Sequence, residues 1–397
     1  MADTRSDLQV AAAPADFQLE IYARGVAGEP PEIPILAAEL QERAREALSA
    51  EAYGYVAGGA GAERTMHANL RAFEDWLIVP RMLRDVSKRD LSVTVLGTAM
   101  RAPVMLAPIG VQSIVHPDAE LAVARGAVAQ GLPFILSTAA SQTLEDVAQA
   151  AAGGARWYQL YWPRDRELAA SFVQRAERAG YEALVVTLDT WLLGWRPRDL
   201  ARAYLPFLKG EGVANYFSDP VFRGALERSP EEDPEPAIGH WAYQFANPRV
   251  TWEDLRWLRE QTSLPIVLKG ILHADDARRA VDAGVQGVIV SNHGGRQVDG
   301  AIGALDALPA VCEAVGGQLP VLFDSGIRGG ADIFKALALG ARAVCVGRPY
   351  AWGLALGGQA GVEHVLRCLL ADLDLTLALS GCTTIEQVDR TTVRAAR

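Results

Sequence analysis

The sequence predicts an α/β protein, a single closed (β/α)8 TIM barrel with a helical segment before it and a long insertion after its fourth strand. Three observations carry this prediction. Eight short apolar runs recur from residue 103 onward, most of them followed by an alanine-rich stretch with helical spacing. The runs are apolar on both faces, as strands of a helix-covered parallel sheet must be. Polar side chains stand at the C-terminal ends of these runs, the end of a barrel where chemistry is done. A doubly wound open sheet is the alternative, and it would usually have fewer strands.

Residues 1–30 read as an N-terminal tail, loosest over the first sixteen, whose interspersed charges and missing apolar core do not make a secretory signal. Residues 35–53 carry helix formers at helical spacing, and YVAGGAG (55–61) breaks that helix. The eight runs are PVMLAP (103–108), PFILS (133–137), WYQLY (157–161), ALVVTLD (183–189), LPIVLKG (264–270), GVIVSNH (287–293), PVLFDSG (320–326) and AVCVGR (343–348). Helical stretches are expected at 118–130, 142–151, 165–179, 273–283, 305–315, 331–339 and 360–377. Together these make one barrel domain over 31–390. The rhythm breaks between the fourth and fifth runs, where an insertion centred on 195–250 contains the acidic, proline-rich SPEEDPEP (229–236), expected to be mobile. A lid over the barrel mouth and a surface excursion are both open readings of it.

Composition narrows the function. Half of the 397 residues are hydrophobic and 22% are charged, an ordinary globular balance. A net charge of −10 argues against a nucleic-acid partner. Cys312, Cys345, Cys368 and Cys382 have no C-x-x-C spacing, so neither a metal site nor a disulfide framework is expected. They read as buried free thiols of a cytoplasmic protein. No run approaches 18 apolar residues, so no membrane span is expected.

The run ends hold the chemistry. The first ends in Pro108–Ile109–Gly110 and the second in Ser137–Thr138. The third carries Gln159 and Tyr161, the fourth Thr187 and Asp189, and the fifth Lys269. The sixth leads into SNHGGRQ (291–297), with Ser291, His293 and Arg296. The seventh ends in Asp324–Ser325–Gly326–Ile327–Arg328 and the eighth in Gly347–Arg348. Singly, each fits packing or a solvated turn; together at one barrel mouth they read as a site. Glycines with accessible N–H groups and two arginines after runs seven and eight suit a phosphate. Lys269 can set a positive charge beside a cofactor ring. His293 can act as a base with Asp189 holding its cationic form, and Arg296 can grip a carboxylate. Tyr55 and Tyr161 can hydrogen-bond a substrate, although isolated tyrosines more often pack.

SNHGGRQ, with YVAGGAGAERTMHAN (55–69), PRML (80–83), APIGVQSIVHPDAE (107–120), QLYWPRDR (159–166), LDTWLLGWRPRDL (188–200), LPIVLKGI (264–271), FDSGIRGGADIFKALALGA (323–341) and VGRPYAWGLA (346–355), resembles in order the FMN-dependent 2-hydroxy-acid oxidases and dehydrogenases. The resemblance covers about residues 30 to 390. TWLLGWRPRDL and the following 215–222 are most similar to lactate 2-monooxygenase within that family. The resemblance implies His293 as base, Asp189 as its partner, and Arg296, Arg196 and Tyr55 on the substrate carboxylate, with Tyr161 facing the substrate hydroxyl. It implies Lys269 near flavin N1/O2, and Gln159, Thr187, Ser137 and Ser291 on the isoalloxazine and ribityl groups. Arg328, Gly347 and Arg348, with the Gly326 turn, would hold the phosphate; Asp324 would face the ribityl hydroxyls and the Pro108–Gly110 backbone flavin N5. It further implies a homo-tetramer or homo-octamer that oxidises an L-2-hydroxy acid with O2, with lactate-like substrate and oxidative decarboxylation. The alternative is a simple oxidase releasing peroxide, or a dehydrogenase with another acceptor, on a bulkier mandelate-like or peptide-derived acid. Two departures favour the alternative. Ala139 stands where glycolate oxidases carry tryptophan, in the wall over the substrate side chain, and the stretch 223–250 is shorter than in lactate 2-monooxygenase. A non-catalytic FMN-binding barrel and a phosphosugar-binding barrel are the rivals from other classes.

Overall fold

The computed structural model describes residues 13–396. Eight parallel strands close into a barrel: β1 (Val104–Leu106), β2 (Phe134–Ser137), β3 (Arg156–Leu160), β4 (Leu184–Thr187), β5 (Ile266–Ile271), β6 (Gly287–Val290), β7 (Val321–Asp324) and β8 (Ala343–Val346), each paired with its neighbours in chain order and β8 with β1. All eight expected runs are strands. Most strand residues are fully buried, because helices cover the outside and side chains fill the inside. Parallel register then aligns the polar ends: Ser137 lies opposite Gln159, and Thr187 opposite Lys269.

The strands stop before the chemistry begins. β6 ends at Val290, and His293 lies in a short turn of 3-10 helix three residues on. β4 ends at Thr187, two residues before Asp189. The other end of the barrel is closed by the antiparallel hairpin Val93–Val95/Thr98–Met100. Its Thr98 hydroxyl accepts from the Trp157 indole N–H at 3.0 Å and donates to Glu182 at 2.6 Å.

Several expectations need correction. The single helix over 35–53 is two helices, Ala37–Ala47 and Ala50–Ala57. Leu48 is extended, and Ser49 caps the second helix by accepting from Ala52 N–H. YVAGGAG does not begin with a break, since the helix runs on to Ala57. Within the expected tail, Asp16–Val26 is helical and tied to the last helix by Ala15 N–H on Asp374 at 3.0 Å; residues 1–12 lie outside the described part. The helix expected over 360–377 spans Arg348–Leu379 with a kink at Gly357–Gly358. Two of the four free thiols, Cys345 and Cys382, are buried, whereas Cys312 and Cys368 are half-exposed. Among the described residues no helix is long and apolar enough to cross a membrane.

The insertion is ordered, contrary to the expectation for SPEEDPEP. Asp233 leads into a helix, Pro234–Phe245, with proline in its first turn where no N–H is needed. Trp241 and Phe245 are buried from that helix. An ion network anchors the insertion to the barrel helix Arg166–Arg178. Asp219, fully buried, accepts from Arg175 at 3.0 Å, from Ser171 Oγ at 2.7 Å and from Val221 N–H at 2.9 Å. Arg175 also pairs with Glu145 and donates to Asn215 O at 2.9 Å. Removing one partner of a buried pair leaves the other uncompensated. Asp219→Ala is therefore expected to cost about 3–5 kcal/mol of stability, read as a lower urea midpoint. An unchanged midpoint would show that Glu145 alone satisfies Arg175.

Candidate active site

Asp189 and His293 meet at the mouth of the barrel. His293 Nδ1 lies 2.7 Å from Asp189 Oδ1 and 3.2 Å from Thr190 Oγ1, and Thr190 donates to the same carboxylate oxygen at 3.0 Å. A carboxylate only accepts, so Nδ1 carries the proton and Nε2 is left as the basic nitrogen. No protein group among the described residues hydrogen-bonds Nε2, and His293 lines the central cavity. Burial pulls the imidazole below its ordinary pKa and outweighs the pull of Asp189 the other way, so the base is neutral at neutral pH. Burial would raise Asp189, yet His293 once protonated, the Lys269 charge and the hydrogen bonds from His293 and Thr190 hold it at about 2.

The backbone bends to bring this pair together. The β5–β6 register shifts between Lys269 and Ile271, and Gly270 there has φ +110°. A Cβ on Gly270 would lie 3.0 Å from Asp189 Cβ, so the bulge makes room for the carboxylate. His293 itself sits at φ 59°, a left-handed conformation that costs a non-glycine residue roughly 1–3 kcal/mol. Gly294 N–H on Ser325 Oγ at 3.0 Å and His293 N–H on Ser291 Oγ at 3.0 Å hold it there.

Arg296 and Arg196 are cations with neutral partners. Arg296 donates to the carbonyls of Tyr55 and Gly58 and lies 5.0 Å from the centre of the Tyr55 ring. Burial first, then neighbouring Arg196, lower its pKa to about 10. Arg196 donates to Arg296 O at 3.1 Å and to Gln297 Oε1 at 2.7 Å. Among the described residues neither hydrogen-bonds a carboxylate, and both line the cavity. Two half-satisfied guanidiniums side by side favour an anion between them.

The same cavity holds the proposed cofactor-facing residues Pro108, Gly110, Ser137, Lys269, Asp324, Gly326, Arg328, Gly347 and Arg348, together with Tyr55 and Tyr161. Gln159, Thr187 and Ser291 are buried behind its lining. Lys269 donates to Ser291 Oγ at 2.9 Å and lies 3.4 Å from Asp324 Oδ2, and Ser291 donates to Asp324 Oδ1 at 2.8 Å. Burial works against the ammonium, but Asp324 and Asp189 outweigh it and raise its pKa above the ordinary value. Burial likewise raises the Tyr161 hydroxyl to about 12, keeping it a donor.

FMN fits these residues. Ser137 Oγ–H donates to Gln159 Oε1 at 3.0 Å, which turns Nε2 the other way, buried with no acceptor. An orphaned amide N–H beside the cavity suits a ring carbonyl. Among the described residues the Arg348 side chain donates only to the carbonyls of Val56, Gly294 and Gly58, and the Arg328 side chain only to its neighbour Ile327 O. Burial lowers both pKa values, so a dianionic phosphate between them would relieve two desolvated cations.

Sequence reasoning missed the wall supplied by the insertion. Phe207 and Phe245 line the cavity, with Phe207 stacked on Trp241 at 4.6 Å and Phe245 edge-on to Tyr161 at 5.1 Å. Leu193 and Thr190 also line it, as does Cys345 from β8. Gln297, the last residue of SNHGGRQ, donates to Asp189 O at 2.7 Å and Leu192 O at 2.9 Å, tying the loop after β4 to the loop after β6. The adjacency of Thr190 to Asp189 and of Gln297 to Arg296 was the only signal for those two; for Phe207 and Phe245 there was none.

Comparison with known proteins shows the family. Residues 44–395 match the family described as FMN-dependent dehydrogenase. The chain is 48% identical to the FMN-dependent alpha-hydroxy acid dehydrogenase qulF of Penicillium citrinum, over 95% of each chain. It is 44% identical to an L-lactate oxidase of Lysinibacillus sphaericus, over 92% of this chain and 94% of that one. The crystal structure of mandelate oxidase with (S)-4-hydroxymandelic acid superposes with a TM-score of 0.82 at 40% identity, covering 91% of this chain and 99% of the other. The chain belongs to the family of FMN-dependent dehydrogenases that oxidise 2-hydroxy acids.

Proposed function

We propose that the chain binds an L-2-hydroxy acid with its carboxylate on Arg296 and Arg196 and its C2 hydroxyl toward His293 Nε2 and Tyr161, and converts it to the 2-oxo acid. The observation that carries this reading is His293 held by Asp189 at 2.7 Å with Nε2 facing the cavity, beside two arginines that hydrogen-bond no carboxylate among the described residues. FMN, when bound, would supply the two-electron acceptor, with O2 the final oxidant in this reading. The protein's own part is proton transfer and positioning. Arg296 and Arg196 fix the substrate by its carboxylate, and Tyr55 flanks Arg296 with its ring. His293 takes a proton from the substrate, and the imidazolium so formed is stabilised by Asp189 at 2.7 Å. Tyr161 donates to the substrate oxygen. Gln159, Thr187, Ser137 and Ser291 would hold the flavin ring and ribityl chain with Asp324 and the Pro108–Gly110 backbone. Arg328, Arg348 and the Gly326 and Gly347 turns would hold the phosphate. Lys269, kept protonated by its two carboxylate neighbours, would place positive charge at the ring.

Two finer readings differ in the substrate side chain and the fate of oxygen. The TWLLGWRPRDL stretch and the ordered insertion support a lactate-like substrate and oxidative decarboxylation, which needs the oxo acid and peroxide kept together behind a closed wall. Ala139, a buried small residue in the cavity wall, supports a bulkier acid, as do the rings of Phe207, Phe245 and Tyr161. The mandelate oxidase likeness supports it as well.

His293→Gln is expected to keep the yellow holoprotein while flavin reduction by substrate falls roughly 10²–10⁴-fold, followed as anaerobic bleaching. Near-normal bleaching would remove His293 from the role of base. Arg296→Lys keeps the charge but loses the planar fork. It should weaken substrate binding by about tenfold or more with FMN retained; loss of FMN instead would assign Arg296 to the cofactor. Aerobic turnover of L-lactate, with acetate, pyruvate and peroxide quantified, separates the finer readings. Acetate with little peroxide is the outcome expected of coupled decarboxylation; stoichiometric pyruvate and peroxide would make the protein a simple oxidase. Turnover of mandelate but not lactate would establish the bulkier substrate.

A further inference from the structure

Glu120 is a fully buried carboxylate outside the machinery described above. It lies at the start of the helix Ala119–Ala129, and its Oε1 accepts from two loops at once, Gln112 N–H after β1 at 3.3 Å and Ser141 N–H after β2 at 3.0 Å. The hydrogen bonds continue outward from there. Ser113 N–H donates to Ser141 Oγ at 3.2 Å, Ser141 Oγ–H donates to Ser113 Oγ at 2.8 Å, and Ser113 Oγ–H donates to Glu211 of the insertion. Two loops thus meet on one buried acceptor, and Ser141 and Ser113 link them outward to the insertion.

Those segments interlock at the cavity wall. Val111 N–H donates to Ala139 O at 2.8 Å, and Val111 is held at φ 59°, a strained conformation for a β-branched residue. A Cβ on Gly110 would lie 2.6 Å from Ala139 O. One on Gly212, next to Glu211, would lie 2.8 Å from Val111 Cγ2, 2.9 Å from Ala139 O and 3.0 Å from the Phe207 ring. Ala139, Gly110 and Phe207 all line the cavity. With no slack between them, a shift of any one segment moves the others.

We propose that Glu120 is a positioning residue for substrate selectivity: by pinning the loops after β1 and β2, and through Ser141 and Ser113 the insertion, it sets where Ala139 and Phe207 stand against the substrate side chain. The proposal rests on the 2-hydroxy-acid reading of the site. Glu120 touches neither the carboxylate-binding arginines nor His293, so its loss acts on the side chain of the substrate rather than on the shared hydroxy-acid end. Burial pushes the Glu120 carboxyl up to about 7, so a neutral side chain with the same acceptor is a fair stand-in. Glutamine keeps Oε1; alanine removes it.

The test compares L-lactate, whose methyl group makes little use of the wall, with (S)-mandelate, whose ring needs it. For Glu120→Ala, KM for mandelate should rise about tenfold relative to lactate, with kcat for both within about threefold of wild type. Binding of benzoylformate to the oxidised holoprotein, read from flavin absorbance against pyruvate, should weaken by the same ratio without turnover. Glu120→Gln should restore both, and Ser113→Ala, which cuts only the outward link, should shift both in the same direction by less. If Glu120→Ala does not fold, Ser113→Ala and Glu211→Ala carry the test. An equal loss on both acids, or an unchanged mandelate-to-lactate ratio in Ser113→Ala and Glu120→Ala, would overturn the assignment. Wild-type holoprotein that bleaches with neither acid would instead overturn the functional reading beneath it.

Discussion

The ionised Asp189 carboxylate is the constraint around which the barrel mouth is arranged. A lone carboxylate moved out of water into such a site would take up a proton rather than stay charged. Asp189 stays charged because His293 and Lys269 face it and Thr190 donates to it. Each of those contacts demands something of the backbone: a bulge with glycine at 270, a left-handed residue at 293, and Gln297 to clamp the chain after Asp189. The strain at His293 is affordable only in this setting, where Ser291 and Ser325 accept the neighbouring N–H groups. The pair is built to hold a proton acceptor neutral and aimed, and to stabilise it once charged.

The arginines show the opposite logic. Asp189 is compensated by the protein itself, but Arg296, Arg196, Arg328 and Arg348 are answered mostly by carbonyl oxygens. A buried cation served only by dipoles is incompletely compensated, and it gains most from an anion that arrives with the ligand. The four divide by place. Two stand with the His293 base and two at the turns after β7 and β8, Arg296 and Arg348 meeting at Gly58 O, and all four line one cavity. Net acidity of the whole chain gives no hint of this local excess of positive charge.

What was legible in the sequence follows from how each feature is encoded. The strands were legible because a helix-covered parallel strand must be apolar on both faces, and GVIV or AVCV followed by polar residues can hardly be anything else. Asp189, Lys269 and His293 were legible as candidates because barrel topology sends every strand end to the same mouth. The helix break at Leu48–Ser49 was not, because Ala50–Ala57 continues the helix-forming composition and only the Ser49 cap marks the boundary. The order of SPEEDPEP was missed for a related reason: proline and acid favour disorder in general but also favour the first turn of a helix, and Trp241 and Phe245, buried farther along, decide between the two. Phe207 and Phe245 in the wall were illegible because a non-periodic insertion carries no signal of where its aromatic residues will land.

These differences in legibility separate two layers of the site. The His293–Asp189 pair, Arg296 and the turns that carry Arg328 and Arg348 follow strand ends, and strand ends are held by the barrel's hydrogen bonds and core; Arg196 comes from the insertion. The wall over the substrate side chain is set by three loop segments that touch at Gly110, Ala139 and Gly212 and meet through hydrogen bonds at Glu120. The first layer can stay constant while the second changes, because the barrel strands and not the loops place it. A family built this way can keep one oxidation and exchange the acid it acts on, and in this chain the second layer joins the small Ala139 to the rings of Phe207 and Phe245.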